Sequence, residues 1–139
     1  MKKTAKILLR IVLVLGLLAG GFGLAMSRQI RQTYQRLDAV PVTGLSQVRD
    51  GVFEGAEETA LVKAAVLVTV KDRQIQEIRL TRHENGKGAP AEAMLPEMVR
   101  RNTSEVDTVS GATMSAKTIR AAVRNALAQG ASGVQEGGQ

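Results

Sequence analysis

The amino-acid sequence predicts an α+β fold, a small antiparallel sheet with helices packed on it, preceded by one N-terminal transmembrane helix. Three observations lead to this prediction. Residues 7–26 form an apolar run that only Arg10 interrupts. Two stretches of alternating apolar residues are separated by a short polar turn, and an apolar stripe at helical spacing lies near the C-terminus.

The apolar run 7–26 is long enough to cross a bilayer. A helix of about 20 residues is about 30 Å long, which matches the hydrocarbon core of a membrane. The competing interpretation is a secretory signal segment, because Gly23 and Ala25 form a passable cleavage site. Residues 1–27 are therefore assigned to a single-pass anchor or, alternatively, to a signal segment. The short basic start favours a cytoplasmic N-terminus and an extracytoplasmic soluble domain.

The net charge of +6 is concentrated at the N-terminus. Residues 1–36 contain seven basic and no acidic side chains, and the remaining residues carry twelve basic and thirteen acidic ones. This distribution favours contact with a lipid bilayer over nucleic acid. Tyr34 and Phe53 are the only aromatic residues outside the apolar run, too few to stack bases. The chain has no cysteine and one histidine, His83, so no metal site is expected.

Residues 28–47 are predicted to link the apolar segment to a soluble domain. Ile30, Tyr34 and Leu37 recur at helical spacing, which indicates either an extension of the membrane helix or a solvated stalk. The sequence Val-Pro-Val-Thr-Gly at 40–44 breaks any such helix.

The soluble domain is predicted to span residues 48–129 and to begin with a hairpin. Apolar side chains alternate over 64–70 and again over 75–82, and Lys-Asp-Arg at 71–73 makes the turn between them. Residues 84–88 are expected to form a loop.

Helices are predicted after this loop. Pro90 fits the first turn of a helix that extends through Val99, whereas Pro96 indicates that the helix is short, kinked or begins later. Three of its residues have the spacing of core positions: Met94, Leu95 and Met98. A final amphipathic helix carries Ile119, Ala122, Val123, Ala126 and Leu127 on one face. Residues 130–139 are Gly-rich and predicted to be a disordered tail.

The run Asp-Thr-Val-Ser-Gly-Ala-Thr at 107–113 places small residues and hydroxyls directly before the final helix. Such a turn combines free backbone N–H groups, the positive end of the helix dipole and a nucleophilic hydroxyl. This chemistry suits holding a phosphate or being joined to one. Taken alone, the same residues also suit an ordinary helix N-cap.

The pattern Asp107-x-x-Ser110-Gly111-Ala112-Thr113 resembles the flavinylation motif of the FMN-binding domain family. That family includes the C subunit of the sodium-pumping NADH:quinone reductase and the corresponding subunit of ferredoxin:NAD reductase complexes. The likeness extends from about Asp50 to Leu127 and includes the 71–73 turn. It also includes His83-Glu84, followed by Gly86 and Gly88. Family members often have a Thr-Pro-Gly-like stretch where this chain reads Asn-Gly-Lys-Gly at 85–88.

The resemblance implies that a flavin transferase takes FMN from FAD and joins its phosphate to Thr113. We expect Gly111 and Ala112 to keep the backbone bare for the approach of the enzyme or the phosphate. Ser110 and Ser115 are candidates to donate hydrogen bonds to phosphate oxygens, and they are equally plausible as helix caps.

Other site residues are more distant from the attachment point. Asp107 is expected to form the turn or to serve as a handle for the modifying enzyme. The resemblance places His83 and Glu84 near the flavin, although a lone histidine is commonly a solvated or capping residue. No catalytic residues are predicted.

The function implied is that of a membrane-anchored electron-transfer flavoprotein that works with membrane redox partner proteins. With so few aromatic residues, an isoalloxazine ring must pack on aliphatic or thioether groups or remain exposed. An exposed, tethered flavin suits electron exchange between proteins better than substrate catalysis. The alternative is a domain that binds flavin non-covalently as a sensor, or a scaffold subunit of a membrane complex.

Overall fold

The computed structural model describes residues 2–84 and 88–132 of the chain. The chain divides into two compact units, Met1–Gln35 and Arg36–Gln139. The first unit consists of most of one long helix, and the second contains the sheet and the remaining helices. The predicted α+β class is confirmed.

The first helix, α1, spans Lys2–Asp38. Its large apolar side chains from Ile7 to Met26 are exposed. Of the helices in the described residues, α1 is the one that is long and apolar enough to cross a membrane. A signal sequence meets the same criterion of length and composition. The helix includes the predicted extension, and its last turn belongs to the second unit, where Leu37 is buried.

The sheet consists of β1 (Gly51–Glu58), β2 (Lys63–Lys71) and β3 (Gln74–Glu84). All neighbours are antiparallel, in the order β1-β2-β3, as the predicted hairpin requires. The alternation in β2 is strict, with Val66, Val68 and Val70 buried on one face. The β2–β3 turn places Asp72 and Arg73 at positive φ, and the Asp50 carboxylate accepts the Asp72 N–H.

Two bulges interrupt the pairing of β3 with β2. Val70 pairs with Ile75 while Thr69 pairs with Glu77, so Gln76 is an extra residue in β3. The second irregularity lies between Ala65 and Val66, whose partners are Arg82 and Leu80, and it makes Thr81 extra. Each bulge reverses which side chains of β3 face the core.

The helix expected from Pro90 is divided into two parts. A 3-10 segment covers Ala89–Ala93, and α2 covers Met94–Arg101 with Pro96 in its first turn, where proline is tolerated. Of the alternatives that Pro96 left open, the structure shows a short helix that begins later than Pro90. Asn102 ends α2 in the left-handed conformation and ties it to the hairpin, since its side chain accepts the Ile75 N–H at 2.8 Å.

The last helix, α3, spans Thr113–Ser132 and packs on the sheet. All five residues of the predicted apolar stripe are at most 1% exposed. The helix runs antiparallel to β1. Gly130 lies beside Phe53, Ala122 and Ala126 lie beside Gly55, and the Asn125 side chain donates to the Ala56 carbonyl at 2.9 Å. The start of α3 therefore lies at the end of the sheet where β1 ends and β2 begins.

The predicted tail, 130–139, begins inside α3. Gly130 is buried, and a Cβ at this position would lie 2.8 Å from the Phe53 ring, so the residue packs as part of the helix. The helix ends at Ser132, and residues 133–139 lie outside the described residues.

Candidate functional site

The motif 107–113 forms a tight turn that leads directly into α3. The Ala112 N–H donates to the Val109 carbonyl at 3.0 Å, and Gly111 has a φ of +80°. A positive φ at the third position of such a turn favours glycine. Ser110 and Gly111 are exposed, and a Cβ added at Gly111 would meet no heavy atom within 4 Å. The turn is therefore open to an approaching group.

Thr113 is the first residue of α3, so the helix begins with the last residue of the motif rather than directly after it. The first intrahelical hydrogen bond runs from the Ala116 N–H to the Ala112 carbonyl, at 2.9 Å. The N–H groups of residues 113–115 consequently have no acceptor within the helix. The first turn contains no acidic residue, so nothing in it opposes a negative charge at the positive end of the helix dipole.

The three hydroxyl residues of this segment lie in different surroundings. Ser110 is exposed on the turn, and Thr113 is half-buried. Ser115 is 2% exposed and shares a helix face with Ile119 and Ala122, which face the core. No hydrogen bond within the described part of the chain uses the Ser115 hydroxyl. Since Ser115 lies two positions from Thr113, the two side chains project from nearly opposite sides of α3.

Asp107 begins the motif with an exposed side chain. Across 2–84 and 88–132 we find no hydrogen bond or ion pair that involves its carboxylate. This position suits a group that a modifying enzyme contacts, which is one of the two roles expected for Asp107.

A buried arginine, which the sequence patterns did not reveal, holds the segment before the motif. Arg124 is 5% exposed and pairs with both carboxylate oxygens of Glu105, from Nε at 2.9 Å and Nη2 at 2.7 Å. Its Nη1 also donates to the carbonyls of Asp38 at 3.3 Å and Val40 at 3.1 Å. This Arg124 clamp joins α3 to Asp38 at the end of α1, to Val40 just after it and to the loop that leads to the motif.

Because of the clamp, we expect the stability of the domain to depend on pH. Hydrogen bonds from Arg124 lower the pKa of Glu105 below its ordinary value of 4.5, although burial opposes the shift. A lowered folded-state pKa contributes stability above the unfolded pKa, and this contribution is lost as the pH falls through the folded pKa.

We expect Glu105→Gln to lower the free energy of unfolding by about 1 kcal/mol at neutral pH, because the pair is partly exposed. Urea titrations at a series of pH values measure this. The difference from wild type should shrink toward zero at acidic pH, where the wild-type carboxyl becomes neutral. Glu97→Gln, which breaks an exposed pair with Arg100 on α2, is the control and should have little effect. A difference that is constant with pH would contradict the prediction.

The structure places His83 and Glu84 in different environments. The bulge at Thr81 turns His83 toward the core, opposite Ala64, and its side chain is only 3% exposed. Its Nδ1 lies 2.8 Å from a carboxylate oxygen of Glu92 in the 3-10 segment. Glu84 is exposed and pairs with Arg82 at 2.6 Å.

His83 and Glu84 face opposite sides of the sheet. At the end of the sheet where α3 begins, the His83 side chain faces the core and the Glu84 side chain faces away from it. Glu92, the partner of His83, was not anticipated because it lies nine residues further along the chain. Residues 85–87, where the sequence departs from the family pattern, lie outside the described residues.

The arrangement at the start of α3 fits a phosphate group. It offers N–H groups without helical acceptors, an exposed glycine turn and a threonine hydroxyl on the first helical residue. For the ring of a flavin it offers aliphatic and thioether groups, such as the half-buried Met114. Phe53 lies at the other end of the sheet, beside Gly130. No group of three or more metal-ligating side chains occurs within the residues that the structure describes.

The fold is that of a small α+β domain in which an exposed turn leads into the last helix. Residues 62–128 match the family model described as the FMN-binding domain. The match begins just before β2, includes the motif and ends within α3. This part of the chain is thus similar to the FMN-binding domain family, and the match supports a flavoprotein. A search among curated proteins found no match.

Proposed function

We propose that this protein is a membrane-anchored, extracytoplasmic electron carrier whose FMN is joined by a phosphoester to Thr113. The observation that carries the proposal is the position of this hydroxyl. Thr113 is the first residue of α3 and follows an exposed glycine turn, with N–H groups beside it that have no helical acceptor. An acceptor hydroxyl for a phosphoryl group needs this access and this favourable electrostatic environment.

The proposed attachment is a transfer from FAD by a flavin transferase. The Thr113 Oγ attacks the phosphorus on the FMN side of the pyrophosphate, and a new O–P bond forms. The pyrophosphate P–O bond breaks and AMP leaves, while the hydroxyl proton passes to a base of the transferase or to water. The phosphodiester keeps one negative charge, which the helix N-terminus stabilises by about 0.3–1 kcal/mol.

Once attached, the flavin supplies the redox chemistry, and the protein supplies its position. The exposed turn at Ser110 and Gly111 leaves one side of the attachment point open to solvent. This openness supports electron exchange with another protein, because a tethered cofactor does not diffuse away between encounters. Membrane redox proteins are the proposed partners.

The membrane location rests on α1. Its apolar residues are exposed to their surroundings over a length that matches a bilayer, and basic residues lie at both ends. We propose that α1 is an uncleaved anchor with the FMN-binding domain outside the cytoplasm. N-terminal sequencing of the mature protein tests the competing signal-segment interpretation.

The test of this function uses the full chain, co-expressed with a flavin transferase and kept in sealed membrane vesicles. We expect a flavin-fluorescent band at the size of this chain on a denaturing gel. We also expect its absorbance to bleach on reduction and to recover with ferricyanide, which does not cross membranes, when the domain faces outward. A dark band, or a flavin that ferricyanide reaches only after the vesicles are opened, would contradict the proposal.

A further inference from the structure

One face of α3 carries Thr113 together with three cations. Lys117, Arg120 and Arg124 follow Thr113 at intervals of four, three and four residues, which places all four side chains in one row along the helix. This row is distinct from the core-facing stripe that contains Ile119. The phosphate attached to Thr113 would therefore lie at the end of a row of positive charges.

The three cations differ in how they are held. Arg124 is fixed by the four hydrogen bonds of the clamp. Arg120 is two helical turns from Thr113 and so about 10 Å away along the helix axis. Lys117 is one turn from Thr113, and its side chain is 18% exposed and ion-paired with the Asp38 carboxylate, which is 51% exposed. Of the three cations, only Lys117 is both close to Thr113 and paired with a solvent-accessible carboxylate, that of Asp38.

We propose that Lys117 is the side chain that neutralises the FMN phosphodiester on Thr113. This inference rests on the proposed function. Side chains four residues apart on a helix are neighbours, and a lysine ammonium on its flexible stem can reach a phosphate oxygen one turn away. The half-buried position of Lys117 limits screening by water, which strengthens its interaction with an anion.

Asp38 then competes with the phosphate. In the structure it pairs with Lys117, and a negative charge on Thr113 adds a further acceptor for the same ammonium. Removing Asp38 should remove a carboxylate that competes for Lys117, whereas removing Lys117 should leave the phosphate without its cation. The two variants break the same ion pair but have opposite consequences for flavin attachment.

The experiment compares Lys117→Met, Lys117→Arg and Asp38→Asn in the full chain with purified flavin transferase and FAD. Intact mass measures the rate of FMN transfer, and the phosphorus NMR shift of the modified chain reports the environment of the phosphodiester. Arg100→Gln on α2, which breaks an exposed ion pair elsewhere, is the control. Melting curves of the unmodified variants show whether each one folds.

We expect Lys117→Met to slow transfer about tenfold, the loss typical of one hydrogen bond to a charged group, and to move the phosphorus shift. Lys117→Arg should restore most of the rate, and Asp38→Asn should transfer at least as fast as wild type. Equal losses in Lys117→Met and Asp38→Asn would overturn the inference, because they would assign the effect to the ion pair alone. An unchanged rate and shift in Lys117→Met would also overturn it and leave the proposed function standing. Wild-type protein that never gains FMN would overturn both.

Discussion

Replacing Thr113 by alanine is expected to abolish covalently bound flavin and to leave the fold intact. Thr113 is half-buried at the first position of α3, where alanine is a good helix former. None of the hydrogen bonds in the described ranges depends on its hydroxyl. The variant should therefore melt like wild type and give a dark band on a denaturing gel after co-expression with the transferase.

Thr113→Ser is the matched variant because it keeps a hydroxyl at the same position. It should accept FMN, and any loss of rate would report the freedom of the serine side chain rather than the chemistry. Undiminished gel fluorescence in Thr113→Ala would mean that another hydroxyl carries the flavin. Flavin that is released by denaturation from every variant would favour the non-covalent sensor.

The largest expected effect on stability is that of Gly55→Ala. A Cβ at this position would lie 2.0 Å from the Ala122 carbonyl oxygen and 2.5 Å from the Ala126 nitrogen, both backbone atoms of α3. Because backbone atoms cannot rotate away, the helix has to move off β1. We expect a loss of more than about 3 kcal/mol in the free energy of unfolding, measured by urea titration.

Gly44→Ala is the control for this substitution. Gly44 has a φ of −68°, and its added Cβ would lie 3.7 Å from the Ser46 hydroxyl, an ordinary contact. It should change stability little. Equal stabilities of the two variants would show that α3 does not approach β1 as closely as the structure has it.

Local patterns in the sequence were sufficient to predict the frame of this domain. The alternation over 64–70 and the polar turn at 71–73 determine β2 and the hairpin, because both signals are local. The stripe on the last helix is equally local. The glycine-containing turn at 107–113 predicted a helix start directly after it, and α3 begins with the last residue of that turn, Thr113.

The burial of the His83 side chain could not be predicted from local sequence patterns. Strict alternation from Ile78 and Leu80 would point His83 outward. The extra residue Thr81 reverses the pattern and buries the histidine against Glu92. A bulge is set by the pairing with the neighbouring strand, and nothing in the sequence of β3 alone marks it.

Long-range charge pairs were missed for a related reason. Arg124 lies within an amphipathic helix, where a basic residue is usually solvated, yet it is buried between Glu105 and the carbonyls of Asp38 and Val40. Its partners lie 19 to 86 residues away along the chain, so no local pattern contains them. The same holds for Lys117 and Asp38, on which the inference about the phosphate depends.

Three features of the domain determine the surroundings of Thr113. The clamp fixes the loop before the motif, the close contact at Gly55 fixes α3 on the sheet, and the motif turn remains exposed. The half-buried Thr113 hydroxyl thus lies on the first residue of a packed helix, next to an exposed turn, an arrangement that suits the proposed attachment of a cofactor by another enzyme.

Peptide mapping of the modified chain tests the attachment of FMN to Thr113 most directly. Trypsin cuts after Arg101 and Lys117, which releases residues 102–117 with Thr113 and several other hydroxyls. Fragmentation of this peptide should place the mass of one FMN, less one water, on Thr113. An unmodified peptide, or FMN on Thr108, Ser110 or Ser115, would contradict the account.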